Sequence, residues 1–161
     1  MSLKPEILYQ KIKYKEHPDH SACFVDVIDN KNSITERFYL KNDRNIDEDI
    51  KNMNLHRIGG PAYIKEDSTR QRYKIVKEEY YKDGKLHNTI GPARIINHTD
   101  DIHETSWFYN GKRHRKGAAA YVLFDHNKNM IKEVHYVKGE MVGNVVFEKI
   151  HQDTSGYPLN G

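Results

Sequence analysis

The chain reads as an all-β protein, a single-layer, twisted array of antiparallel β-hairpin repeats of about 27 residues each, with one short helix. Three observations predict this. Leucine and alanine together number 13, whereas isoleucine, valine and tyrosine number 35, and branched and aromatic side chains suit a pleated, half-buried surface better than a helix. Asp83-Gly84 and Asn110-Gly111 are dipeptides that permit positive φ at a tight hairpin turn. The segments around these turns recur at nearly constant spacing.

The repeat has two linked parts. Tyr80-Tyr81-Lys82-Asp83-Gly84-Lys85-Leu86-His87 is echoed by Trp107-Phe108-Tyr109-Asn110-Gly111-Lys112-Arg113-His114 and, more faintly, by His135-Tyr136-Val137-Lys138-Gly139-Glu140-Met141-Val142. The glycines Gly84, Gly111 and Gly139 stand 27 and 28 residues apart. A second signature follows each histidine. Leu55-His56-Arg57-Ile58-Gly59-Gly60-Pro61-Ala62 matches Leu86-His87-Asn88-Thr89-Ile90-Gly91-Pro92-Ala93. His114-Arg115-Lys116-Gly117-Ala118-Ala119 matches with one residue fewer, Ala118 standing for the proline.

Taken in order, residues 1–42 form a degenerate N-terminal repeat. His20 to Val25 occupies the place of the histidine signature, and Thr35 to Asn42 that of the aromatic strand. Residues 43–54 are a helical insertion: Ile46, Ile50 and Met53 recur at helical spacing, Asp43 is placed to cap, and acidic residues fill the first turn. One short helix is expected over 44–53. The hairpin repeats then run over 55–150. Period-two alternation sets Tyr73, Ile75, Lys77, Glu79 and Tyr81 on one strand face, and opposes Ala119, Tyr121 and Leu123 to Ala120, Val122 and Phe124. Asp100-Asp101 and His126-Asn127-Lys128-Asn129 are the expected turns at the opposite end. The last unit, 143–150, has neither histidine nor proline, as suits the capping end of an array, and 151–161 read as a tail.

Composition bounds the function. Leucine, isoleucine, valine and phenylalanine make up 22% of the chain, just above the roughly 20% below which chains tend to be disordered. A net charge of +3 is too small to hold such a chain open. Basic and acidic residues alternate, as in Lys77-Glu78-Glu79 and Lys132-Glu133, which describes solvated mixed-charge strand faces better than a nucleic-acid patch. No apolar run approaches the roughly 20 residues of a membrane-spanning helix, and the first residues lack the apolar stretch of a signal peptide. The single cysteine, Cys23, excludes an intrachain disulfide and a thiolate zinc site, so a cytoplasmic setting is expected.

Several residues at repeat positions have a backbone explanation. In the pairs Gly60-Pro61 and Gly91-Pro92, proline suits the start of a strand and the glycine before it takes the awkward dihedrals of the turn. Gly84, Gly111 and Gly139 are the hairpin-turn glycines. His56, His87 and His114 should form a row, but a hairpin unit advances about 10 Å, too far for three imidazoles to share one ion. The role expected for them is structural, a hydrogen bond to turn backbone or a stack on the next unit's aromatic ring, and no metal is expected.

The aromatic pairs Tyr80/Tyr81, Trp107/Phe108 and His135/Tyr136 place one ring on each strand face. Their exposed members, interleaved with Arg57, Lys85, Lys112, Arg113 and Arg115, would make a stacking and cationic surface. Catalytic constellations are missing: no Gly-x-Ser-x-Gly, no phosphate-binding loop, no His-Glu-x-x-His and no dinucleotide fingerprint occurs. Cys23, in the apolar run Ala22-Cys23-Phe24-Val25, reads as a buried small hydrophobe.

Over residues 55–150 the pattern Trp/Tyr-x-x-Asn/Asp-Gly-x-x-His-Arg-x-x-Gly-Pro-Ala, seen in Tyr80 to Ala93 and Trp107 to Ala119, resembles the MORN-like repeats (membrane occupation and recognition nexus variants) of phages, giant viruses and bacteria. The resemblance implies a hairpin scaffold that binds a protein without catalysis, such as a viral protein acting on a host protein. No cofactor is expected. The residues leave two alternatives: a nucleotide or nucleic-acid binder using the Arg/Lys-aromatic face, and a small histidine-dependent hydrolase. Candidate ligand or partner contacts are His56, Arg57, His87, Trp107, Tyr109, Arg113, His114 and Arg115. Open end strands predict a homo-oligomer.

Overall fold

A computed structural model describes residues 7–17, 20–41, 44–99 and 102–147. In chain order these form β1 (Ile7–His17), β2 (His20–Asp29), β3 (Ile34–Leu40), the helix α1 (Ile46–Lys51), β4 (Tyr63–Asp67) and β5 (Ile75–Glu79). There follow β6 (Tyr81–Lys82), β7 (Lys85–Leu86), β8 (Arg94–Asn97), β9 (Ile102–Ser106), β10 (Phe108–Tyr109) and β11 (Lys112–Arg113), then β12 (Tyr121–Asp125), β13 (Met130–Val137) and β14 (Glu140–Val146). The expected Asp43 cap, the Asp100-Asp101 turn, the last residues of the final repeat (148–150) and the 151–161 tail lie outside the described residues.

Ten strands make one antiparallel sheet in the order β1-β2-β3-β4-β5-β8-β9-β12-β13-β14. Strands follow one another across it as they do along the chain, interrupted only where β6-β7 and β10-β11 leave to form separate two-stranded hairpins. This is the all-β array of hairpins that the repeat predicts, with one difference. The alternation through Tyr73–Tyr81 is not one strand. Tyr73 lies in a turn at φ 47°, its ring 4.4 Å from that of His103. At the other end the chain departs from the sheet after Glu79, so Tyr81 opens β6.

The turns of the small hairpins are set by backbone sterics. Asp83 and Gly84 have φ of 48° and 71°, and Asn110 and Gly111 have 48° and 80°. Two consecutive positive values match the twist of a two-residue hairpin, and Asp-Gly and Asn-Gly reach them at least cost. Lys138 and Gly139 repeat the geometry at 52° and 96°. There, however, the chain does not split off: β13 and β14 continue as one hairpin across that turn, with a register shift between His135 and Tyr136.

Three of the turns at the opposite edge are each organised by an aspartate. Asp29 accepts from the amides of Lys31 and Asn32, Asp67 from the amide of Thr69, and Asp125 from the amides of Asn127 and Asn129. An acceptor two to four residues before the amides it holds closes a turn without a ladder bond. The same bonds favour the ionised form. Hydrogen bonds from Asn32, Thr69 and Asn129 respectively hold the three carboxyls below the ordinary aspartate value.

The helix is shorter than the expected 44–53, and its first flanking residue is Asn45, whose side chain makes no capping bond. Its apolar stripe serves as the spacing predicts: Ile46, Ile50 and Met53 pack on a core of Cys23, Val25, Phe38, Tyr39, Leu40, Leu55, Ala62, Tyr63 and Tyr81. Leu40 and Leu55 are fully buried. The sheet register places Phe38, Tyr63, Glu79, Arg94, Ser106, Tyr121 and Val134 across one face, which the helix and the small hairpins cover. Glu79 is buried there, with Arg94 Nε donating at 2.6 Å, the Tyr81 hydroxyl at 3.1 Å and Lys77 Nζ 3.1 Å away. A buried carboxyl group is tolerated where such partners satisfy its oxygens.

Candidate binding groove

The opposite, outer face carries the row Tyr39, Ala62, Tyr80, Ala93, Trp107, Ala120. Backbone bonds pair Tyr39 with Ala62, Tyr80 with Ala93 and Trp107 with Ala120. The three alanines are fully buried because a loop from each repeat folds over them. These loops carry the histidine signature. The pairings also revise the third copy: Ala120, not Ala119, is equivalent to Ala62 and Ala93, so no residue is missing. Ala119 takes the place of Pro61 and Pro92, and Ala118 that of Gly60 and Gly91.

The histidines link neighbouring repeats. His56 Nδ1 accepts the amide N–H of Asp83 at 3.1 Å, His87 Nδ1 that of Asn110 at 3.1 Å, and His114 Nδ1 that of Lys138 at 3.3 Å. In each case the donor is the first positive-φ residue of the next unit's turn. His87 also meets Tyr109, ring centroids 4.8 Å apart, and His56 Nδ1 lies 3.2 Å from the Asp83 carboxylate. Lys41 donates to that same carboxylate and is the main reason it stays below the ordinary aspartate range. Further amide-to-carbonyl bonds run beside the histidines: Gly84 to Leu55, Gly111 to Leu86 and Gly139 to Arg113. Among the described residues no group of three or more His, Cys, Asp or Glu is placed to hold a metal ion.

The residue after each histidine braces its loop. Arg57 Nη1 donates to Pro61 O, Asn88 Nδ2 to Pro92 O and Arg115 Nη1 to Ala119 O. The two arginines do more. Arg57 lies over the Tyr39 ring and Arg115 over the Trp107 ring, each 3.9 Å from the centroid, the geometry of a cation–π stack. Gly60 is therefore not the residue in a strained turn: the left-handed positions are Gly59 and Gly117, at φ 79° and 75°. What Gly60 provides is room, since a Cβ there would come within 2.9 Å of the Arg57 guanidinium.

The cationic and aromatic residues do not form one surface. Arg57, Trp107 and Arg115 are on the outer face. Arg113 lies among Phe108, Tyr121 and Tyr136 on the other. Tyr109 is half-exposed beside His87, and Gly84, Gly111 and Gly139 hold the turns.

In the middle repeat asparagine replaces arginine and is too short to reach back over its ring. Tyr80, half-buried like Trp107, has no guanidinium over its ring among the described residues and lies at the floor of a groove of about 660 Å³. One wall is the loop from His56 to Gly60, the other the loop from His87 to Pro92, and Ile95 continues the floor. Ile90 stands almost wholly exposed on the rim and Ile58 is more than half exposed. Of the candidates read from the chain, the groove gathers His56, Arg57 and His87, while His114, Trp107 and Arg115 belong to the next repeat. Tyr80, Ile90, Ile95 and the neighbouring Glu78 were not singled out as site residues. The asparagine at 88, a departure from the repeat, is the one letter that marks the place.

No family model matches the chain, and no curated protein or solved structure matches it significantly. Among the described residues no helix is long and apolar enough to cross a membrane.

Proposed function

We propose that the chain is a non-catalytic protein-binding module that takes its partner in the groove over Tyr80. The observation that carries this reading is the contrast between repeats. Where arginine follows the histidine, the aromatic ring of the outer face is capped by a guanidinium of its own chain. At Asn88 the ring carries none among the described residues, between walls that two repeats hold in place, under rims bearing Ile58 and Ile90. Exposed apolar side chains beside a preformed concave site suit a macromolecular partner. The histidines, which a hydrolase would need free, are engaged by turn amides, and the arginines a nucleotide site would use lie on the chain's own rings. The resemblance to MORN-like repeats points to the same class of function.

A photo-cross-linking amino acid at Ile90, in protein expressed in its native cells, should give a discrete protein adduct on irradiation. The adduct should vanish when Tyr80 is changed to Lys and should not form from a control position at Lys128, in the β12–β13 turn. Equal adducts from both positions, or none from Ile90, would overturn the proposal.

A further inference from the structure

Resting on that reading, we infer that the groove is a receptor for an arginine side chain presented by the partner protein, its guanidinium stacking on Tyr80 where the chain's own guanidinium stacks in the flanking repeats. The fold contains the template twice. Arg57 over Tyr39 and Arg115 over Trp107 show the same ring position, on the same sheet face, occupied by a guanidinium at 3.9 Å. In the middle repeat the ring is present and the cation is not. The space is open as well: at Gly91, the position of Gly60 and Ala118, a Cβ would meet only Asn88 Nδ2, at 3.6 Å, and Ala118 shows that this position takes a Cβ beside a stacked guanidinium.

Charge separates the vacant slot from the filled ones. Two residues before the ring, on the same strand face, stand Arg37 in the first unit and Thr105 in the third. Arg37 is spoken for by Asp26, with bonds of 2.7 and 2.6 Å. In the middle unit that position is Glu78. It lies between Ile64 and Ile95 on the neighbouring strands, and among the described residues its carboxylate has neither a hydrogen bond nor an ion pair. Burial holds its carboxyl above the usual range, the mark of a partly desolvated acid without a counter-charge. A guanidinium on Tyr80 supplies that charge, and its planar fork suits both the ring and the carboxylate. Arg57 and Lys82 border the groove, so a lone arginine should bind weakly and the rest of the partner's segment must add affinity.

The test uses the full chain, ¹⁵N-labelled, and two blocked pentapeptides, acetyl-Gly-Gly-Arg-Gly-Gly-amide and its citrulline counterpart, which keeps the shape and loses the charge. The arginine peptide should shift the amide resonances of Tyr80, Asn88 and Gly91 saturably in the millimolar range, and the citrulline peptide should shift them at least about fivefold less at equal concentration. Asn88→Arg, which installs the residue present in both flanking repeats, should abolish the response while the remaining spectrum stays folded. Glu78→Gln, a nearly isosteric change, should weaken binding at least about fivefold. Equal responses to arginine and citrulline, undiminished binding by Asn88→Arg, or shifts centred away from Tyr80 would each overturn the inference. If the peptides fail while Ile90 still gives its Tyr80-dependent adduct, the partner's chemistry is wrong and the protein-binding reading stands. If the adduct also fails, both fall.

Discussion

Replacing His87 by alanine cuts two links between neighbouring repeats at once, and their sizes can be worked out separately. The bond from the Asn110 amide to Nδ1, at 3.1 Å, is worth about 0.5–1.5 kcal/mol net, toward the low end because water can reach the turn. The ring contact with Tyr109, at 4.8 Å, adds about 0.5–1 kcal/mol for a half-exposed pair. The expected loss is therefore about 1–2.5 kcal/mol. For a domain of this size each kcal/mol moves Tm by about 2–4 °C, so the variant should melt roughly 2–10 °C lower. His114→Ala should lose less: its bond is longer, 3.3 Å, and Val137 stands where Tyr109 stands. A double-mutant cycle between His87→Ala and Tyr109→Ala, read by urea unfolding, isolates the ring contact and should give a coupling of at least about 0.5 kcal/mol. The reasoning is refuted if the coupling is nil, or if His114→Ala proves as costly as His87→Ala.

Other substitutions test other parts of the structure. Leu55→Ala, at a fully buried position in the main core, should cost about 2–5 kcal/mol in urea unfolding; a loss under 1 kcal/mol would show that the site is not packed as described. Gly111→Ala keeps ordinary contacts but forces a side chain to φ 80°, costing about 1–2 kcal/mol. Gly84→Ala meets Asn54 Oδ1 at 2.7 Å as well and should cost more; the reverse order of midpoints would contradict the geometry. Asp29, Asp67 and Asp125 have folded-state pKa values below their unfolded ones. Their contribution is complete above the ordinary value near pH 4 and is lost as pH falls through the lowered folded values. Changing all three to Asn should therefore flatten the fall of Tm between pH 5 and pH 2, and an unchanged slope would exclude them as its source.

Much of this architecture is written in the chain at short range. The Asp-Gly and Asn-Gly turns follow from two-residue chemistry, and the Lys138-Gly139 turn, which no dipeptide preference announces, is reached by repeat spacing. The helix stripe Ile46, Ile50, Met53 is local in the same sense. What could not be read depends on partners distant in sequence or on competition between equal patterns. Alternation passes unbroken through Glu79, Tyr80 and Tyr81, so nothing in the letters shows the chain leaving the sheet there. The stack of Arg57 on Tyr39 spans the whole helical insertion. The gap assumed in the third copy arose from matching Gly-Pro-Ala by letter, whereas the backbone counts positions and accepts Ala119 where proline stands elsewhere. The groove was the least visible of all, because it is defined by a side chain too short to fill a space.

Strands that pair in the order in which they are made have a consequence for how such a chain can change its length. The seam between Glu79 and Tyr80 is structurally equivalent to that between Ser106 and Trp107, so residues 80–106 form a cassette whose two ends present the same geometry. A tandem duplication of that cassette would add two sheet strands and one small hairpin, join its neighbours through bonds they already make, and leave the end strands untouched. Each added copy would bring its own choice of arginine or asparagine after the histidine. The number of repeats and the number of open grooves could then be inherited as separate traits.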